Sequence, residues 1–158
     1  MEKLNIRRAK QGDIPEIDKL LYQVHKVHSD ARPDLFRPGT KKYTDGELTE
    51  ILTDDQTPVF VAEKNGNILG YAFCIHQQFA NDLNRTDIKT LYIDDLCVDE
   101  HARGAHIGKT LYEFVLDYAK TCGCYNVTLN VWASNPNAVK FYEKIGMQIQ
   151  KIGMEKIL

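Results

Sequence analysis

Leu91 to Val98 read as an apolar strand. A short connection then leads through Arg103-Gly104-Ala105-His106-Ile107-Gly108-Lys109 into an amphipathic helix predicted from Gly108 to about Thr121. This passage constrains the chain more than any other. The first N–H groups of a helix lack partners within it, and the helix dipole makes that end partly positive, so an anion satisfies both at once. Glycines admit a ligand close to the backbone, and Arg103 and Lys109 add charge. The turn therefore reads as a phosphate cradle. Val127 to Val131 form a β-branched run after the helix, which makes the segment a right-handed parallel βαβ unit.

The remaining elements follow from periodicity and punctuation. Leu4, Ile6 and Ala9 suggest a first strand. Asp13 stands where a helix cap belongs, with Glu16 three residues on to complete a capping box. Ile14, Ile17, Leu20, Leu21, Val24 and Val27 then recur at helical spacing. Pro33, Pro38 and Gly39 mark residues 29–40 as a loop, long enough to cover a substrate, and a second helix is predicted over 41–52. Asn65-Gly66 between Val59–Ala62 and Ile68–Ile75 signals a β-hairpin, because both residues tolerate positive φ. Asn135-Pro136 opens a last helix through Ile145, ended by Gly146, and residues 147–151 and 154–158 are expected as two short strands. The order is strand-helix-helix-strand-strand-strand-helix-strand-helix-strand-strand, a mixed-sheet α/β chain.

At 158 residues, with 43% hydrophobic and 27% charged content, the chain suits a single domain over 1–158 with one core. No apolar run approaches the roughly 20 residues of a bilayer span, and Met1 to Asn5 lack the apolar centre of a signal peptide, so a cytoplasmic protein with no membrane partner is expected. A net charge of −2 disfavours nucleic acid, whose phosphates reward a basic excess. Cys74, Cys97, Cys122 and Cys124 show no Cys-x-x-Cys spacing and read as reduced thiols, and no His, Cys and carboxylate spacing suggests a metal.

Together with Asn135-Pro-Asn-Ala-Val-Lys-Phe-Tyr142-Glu-Lys-Ile-Gly146, the strand, glycine turn, helix and strand resemble the GNAT superfamily of acetyl-CoA-dependent N-acetyltransferases over nearly the whole chain. Leu91 to Val98, with its acidic pair and the motifs behind it, further resembles the diamine and polyamine acetyltransferase branch. The resemblance implies acetyl-CoA as donor, no metal, a small-molecule or peptide amine as acceptor, and a homodimer. It puts the coenzyme diphosphate on the main chain of Arg103, Gly104, Ala105, His106, Ile107, Gly108 and Lys109, with Asn135 as a further contact. Asn135 serves equally well as a helix N-cap.

His106 departs from the family's usual glycine, and a positive φ there would be strained. The main chain of Leu96 and Val98 is expected to bond the pantetheine arm, with the N–H of Cys97 or Val98 polarising the thioester. The family position of Tyr142 makes it the acid for the departing thiolate. Asp94 is the expected base, with Asp95 binding a cationic acceptor; as neighbours on a strand, their side chains should point to opposite faces. His25, His28, Arg32, Asp34 and Phe36 could line the amine pocket.

Two other readings fit parts of the pattern. Gly104 to Thr110 nearly spells a P-loop nucleotide hydrolase motif, but is one residue short and would need glycine where Arg103 stands. A non-catalytic acyl-CoA-binding sensor or interaction domain on the same fold is the second alternative, with His106 its main support.

Overall fold

The structure is a computed structural model that describes residues 3–104 and 106–158. Its centre is a five-stranded sheet, β1 (Asn5–Arg8), β2 (Val59–Lys64), β3 (Asn67–Gln78), β4 (Lys89–Val98) and β5 (Asn126–Leu129), in the order β1-β2-β3-β4-β5. Neighbours are antiparallel except β4 and β5, which run parallel. The parallel pair is joined by α3 (Ile107–Thr121), the crossover helix that a parallel connection needs. The β2–β3 turn has Asn65 at φ 54° and Gly66 at φ 77°, the pair of positive angles that a tight hairpin requires.

Alternation along the strands divides the core between the two faces of the sheet. On one face, Val59, Val61, Tyr71 and Phe73 pack with Ile17, Leu20 and Leu21 of α1 (Ile14–Ala31) and Leu48 and Leu52 of α2 (Asp45–Thr53). On the other, Phe60, Ala62, Ala72, Cys74, Leu91 and Ile93 pack with Ile107, Leu111, Tyr112, Val115 and Ala119 of α3. The last helix, α4 (Pro136–Lys144), buries no residue fully. Cys74 and Cys97 are buried, Cys122 and Cys124 are partly buried, and all four are free thiols.

Three sequence expectations are corrected. The capping box at Asp13 and Glu16 does not form. The Asp13 carboxylate takes both terminal nitrogens of Arg7 at 2.8 Å and the N–H of Lys10, while Glu16 accepts the N–H of Ile68 in β3. An arginine fork offers Asp13 more than one orphan helix N–H would. Burial against water costs the Asp13 carboxylate less than the Arg7 bond returns, so its pKa is lowered. The second helix starts at Asp45, not at 41, because Thr44 caps it: Thr44 accepts from the Glu47 N–H and Glu47 accepts from the Thr44 N–H. Lys41 to Tyr43 are thereby left outside the helix, where Lys42 and Tyr43 reach Asp94. Finally, residues 147–151 and 154–158 form no strands and join none of the five strands of the sheet.

Candidate active site

The site forms where β4 and β5 part. Their pairing ends at Ile93 with Leu129, so β4 continues from Asp94 to Val98 with β3 alone as neighbour. The Asp99 N–H donates to the Leu69 carbonyl, toward β3. Main-chain direction alternates along a strand, so Cys97 also faces β3, and the N–H and C=O groups of Leu96 and Val98 face the gap left by β5. Of the two N–H groups expected to polarise a thioester, that of Val98 is the one with a free side.

A β-bulge sits at the head of this gap. Phe73 lies opposite Asp95 and Cys74 opposite Ile93, which leaves Asp94 as the extra residue of β4. A bulge shifts the alternation by one residue. Upstream, Leu91 and Ile93 face α3; downstream, Leu96 and Val98 pack on that side, while Cys97 belongs to the α1 face. The expectation of opposite faces for Asp94 and Asp95 is therefore corrected: both carboxylates reach the α1 and α2 side.

The two have different surroundings there. The Lys42 ammonium lies 2.9 Å from each oxygen of Asp94, and the Tyr43 hydroxyl donates to one of them. The Tyr43 ring stacks on Phe73 at 5.6 Å, which fixes it in place. Asp95 has no cation bonded to it among the described residues, and the one side-chain hydrogen bond it accepts there comes from the buried Tyr71 hydroxyl at 2.6 Å. Desolvation pushes the Asp95 carboxyl up to about 6, against the Tyr71 bond and the Lys42 charge, which both pull it down. Desolvation likewise raises the Cys97 thiol to about 12, and the nearby Asp95 charge adds to the effect. Cys97 is thus held as a neutral thiol.

Tyr142 on α4 stands on the same ground. Burial raises its phenol well above the ordinary range, and the charge of Asp95 is the next cause, so the hydroxyl keeps its proton. α4 is placed by Asn135, whose side chain accepts the Ala138 N–H at 3.3 Å and acts as the N-cap. Phe141 packs against the start of α3, where a Cβ on Gly108 would come within 3.3 Å of the Phe141 ring and 3.5 Å of Val98. Glycine at 108 thus lets β4, α3 and α4 converge on one point.

The glycine turn meets that point. Gly104 has φ 90° and His106, the N-cap of α3, has φ 58°. His106 is exposed and in the left-handed region, so the strain expected of it and its place on the outside of the turn hold together. Arg103 and Lys109 are exposed, Ile107 is buried, and Ala105 lies outside the described residues.

His28, Phe36 and Trp132 form an aromatic group, with Phe36 5.4 Å from each of the other two rings. His25 meets Phe36 edge-on at 6.0 Å. Burial lowers the His28 pKa, with the charges of His25 and Lys42 adding to that, and favours the neutral ring. Arg32 binds Asp34 and Glu155. Trp132, Tyr43, Lys42 and Tyr71 were not singled out from sequence. The partnership of Tyr71 with Asp95 depends on the register at the bulge, and Trp132 follows a strand that ends sooner than its β-branched residues suggest.

An open strand edge, a glycine turn at a helix start, and a desolvated carboxylate near a protonated phenol define a fold of the acetyltransferase class. Residues 21–147 match the Acetyltransferase (GNAT) family, and the chain belongs to it. Its structure is similar to that of a mutant of the BH1408 protein from Bacillus halodurans, with 32% identity, a TM-score of 0.93 and 98% and 99% of the two chains covered. It is also similar to glucosamine-6-phosphate N-acetyltransferase from Arabidopsis thaliana, with 28% identity, a TM-score of 0.72 and 99% of both chains covered.

In sequence, a glucosamine 6-phosphate N-acetyltransferase of Arabidopsis thaliana is 41% identical over 68 residues, which are 43% of this chain and 44% of that protein. An uncharacterized N-acetyltransferase of Methanocaldococcus jannaschii is 25% identical over 147 residues, 93% of this chain and 62% of that protein. The chain spans roughly half the length of the curated relatives it matches. No helix among the described residues is long and apolar enough to cross a membrane.

Proposed function

We propose that residues 1–158 are a single N-acetyltransferase domain that moves acetyl directly from acetyl-CoA to the primary amine of a small molecule or peptide, in the cytoplasm and as a homodimer. The observation that carries this reading is the free main-chain edge at Leu96 and Val98, set between the glycine turn and the Asp95–Tyr142 pair. The turn from Arg103 to Lys109 would hold the diphosphate, Leu96 and Val98 would bond the amide-bearing arm as an added strand does, and Asn135 would keep its capping role beside it.

The acceptor must lose a proton, since an alkylamine of pKa about 10 is mostly ammonium at neutral pH. Asp94 is the base implied by family likeness, but both its oxygens are engaged by Lys42 and Tyr43. Asp95 is the better placed of the two. Its pKa near 6 leaves it ionised at pH 7 yet more basic than an ordinary carboxylate, as a proton acceptor should be. Asp94 then anchors the acceptor wall through Lys42 and Tyr43. The Val98 N–H steadies the charge that forms on the thioester oxygen as nitrogen attacks carbon. Asp95 takes the proton that the ammonium loses before attack and passes it to solvent; as the C–S bond breaks, Tyr142 gives its proton to the thiolate and its phenolate recovers one from the acetylated nitrogen, so the proton count closes.

A panel of amines, including hexosamine phosphates, polyamines and peptide N-termini, tests this with release of free coenzyme A as the readout. Amine-dependent release is expected. Tight coenzyme binding with no release for any amine supports the second reading, a non-catalytic sensor, which the left-handed His106 and the occupied Asp94 favour.

A further inference from the structure

Lys26, Lys41 and Lys109 pair with carboxylates away from the acidic pair of β4: Asp30 for the first, Asp18 and Asp45 for the second, Glu113 for the third. Lys42 differs. Its ammonium lies 2.9 Å from each oxygen of Asp94, the bulge residue at the head of the gap between β4 and β5. Its charge also acts on Asp95 and on His28. A primary amine of the protein's own thus stands among the carboxylates to which the reading above brings the amine of an acceptor.

Two further features suit this amine to react. The Lys42 side chain is 44% exposed, against 13% for Asp94, so its flexible four-carbon stem has room to swing once the ion pair opens. Lys42 also lies in a bend outside any helix or strand, because Thr44 starts α2 after it. From Asp94 the free edge of β4 begins at Leu96, about 7 Å along a strand that rises ~3.4 Å per residue.

We propose that Lys42 is a self-acetylation site: with no outside amine present, its amine takes the place of the acceptor and receives the acetyl group from the bound thioester. This rests on the acetyl-transfer reading above. Asp94, already in contact with the ammonium, takes one proton from it and passes it to solvent. The freed nitrogen attacks the thioester carbon, and the C–S bond breaks. The departing thiolate takes the Tyr142 proton, and the phenolate recovers one from the acetylated nitrogen. Acetyl-CoA and the lysine ammonium thereby become free coenzyme A, an acetamide and one released proton. The product has a different acceptor wall. An acetamide has no charge to hold on Asp94, which keeps the Tyr43 hydroxyl and is opened to the ammonium of an incoming acceptor. Self-acetylation and Lys42→Met therefore shift the KM for an amine in the same direction.

Mass spectrometry on the full chain, incubated with acetyl-CoA and no amine, tests the site, with fragmentation to separate Lys42 from Lys41. One acetyl group on Lys42 and one equivalent of coenzyme A are expected, at a rate per molecule independent of protein concentration. Lys42 should react at least about tenfold faster than the exposed Lys26, because a thioester bound beside it acts at high effective concentration. Lys26 gauges plain chemical acetylation by the donor in solution. Excess free coenzyme A should slow Lys42 to the Lys26 rate, and so should Tyr142→Phe; the competition by coenzyme A requires no variant to fold. A chain isolated with acetyl already on Lys42, and lacking it as Tyr142→Phe, gives the same answer. Equal rates at Lys42 and Lys26, or a Lys42 rate indifferent to free coenzyme A, overturn the self-acetylation. If outside amines still release coenzyme A in that case, acetyl transfer stands. No release with Lys42 or with any amine overturns both.

Discussion

The proposed donor end and the proposed acceptor end of this site are built from different materials. Around the glycine turn and the free edge of β4, the groups on offer are main-chain N–H and C=O, and the neighbouring side chains are mostly exposed. At the proposed acceptor end, the groups are side chains already bound to one another: Lys42 and Tyr43 on Asp94, and Tyr71 on Asp95. Backbone recognition depends on conformation and tolerates an unusual residue such as His106. Side-chain recognition depends on identity, so it is more sensitive to a change of one residue.

That contrast can be broken at several points, and the largest effect belongs to the phenol between the two ends. Tyr142→Phe should lower kcat by about 10³-fold with little change in coenzyme binding, measured by steady-state rates and calorimetry. An unchanged kcat would move the acid elsewhere.

Next come the adjacent carboxylates, where the bulge makes neighbours unequal. Asp95→Asn should cost about 10²-fold in kcat/KM, against less than about tenfold for Asp94→Asn. In the parent, kcat/KM should fall as pH drops through about 6, because the base is lost when Asp95 takes a proton, and this limb should vanish in Asp95→Asn. The stability sign is opposite. Between about pH 4 and 6 the folded state holds a proton that the unfolded state has lost, so ionising Asp95 costs stability as pH rises. Thermal unfolding of Asp95→Asn at pH 8 should therefore occur no lower than in the parent. A lower midpoint would make Asp95 structural.

Lys42→Met should act on the acceptor alone, changing KM for the amine several-fold while kcat moves little, because it frees Asp94 without touching the donor end. The smallest effect is expected at His106. Replacing it by glycine relieves a left-handed residue at φ 58° and should stabilise the fold by about 0.5–1 kcal/mol in denaturant melts, after glycine's own entropy cost, without weakening coenzyme binding. A loss of binding would give the imidazole a direct role.

The elements around the glycine turn were legible in sequence because their signals are local. Strand, glycine turn, helix start and the Asn135 cap lie within short stretches, and each depends on propensities that neighbours in sequence dictate. The hairpin at Asn65-Gly66 is legible for the same reason. The bulge at Asp94 was not, since it is a property of register between β3 and β4, and strand alternation alone predicts the wrong face for one aspartate. Tyr71 looks like an ordinary core aromatic until register puts it within 2.6 Å of Asp95. Lys42 and Tyr43 were assigned to a helix that Thr44 in fact caps after them. The terminal strands failed differently: residues 147–158 have a strand-like pattern, but a strand needs a neighbour, and these residues pair with none of the five strands.

The central claim is that residues 103–109 hold the coenzyme diphosphate and aim the thioester along the free edge of β4. A crystal structure with bound acetyl-CoA tests it most directly. The diphosphate should lie on the main-chain N–H groups of the turn, with the thioester oxygen within hydrogen-bond reach of the Val98 N–H. Coenzyme density anywhere else, with β4 from Asp94 to Val98 left unbonded, would contradict the account.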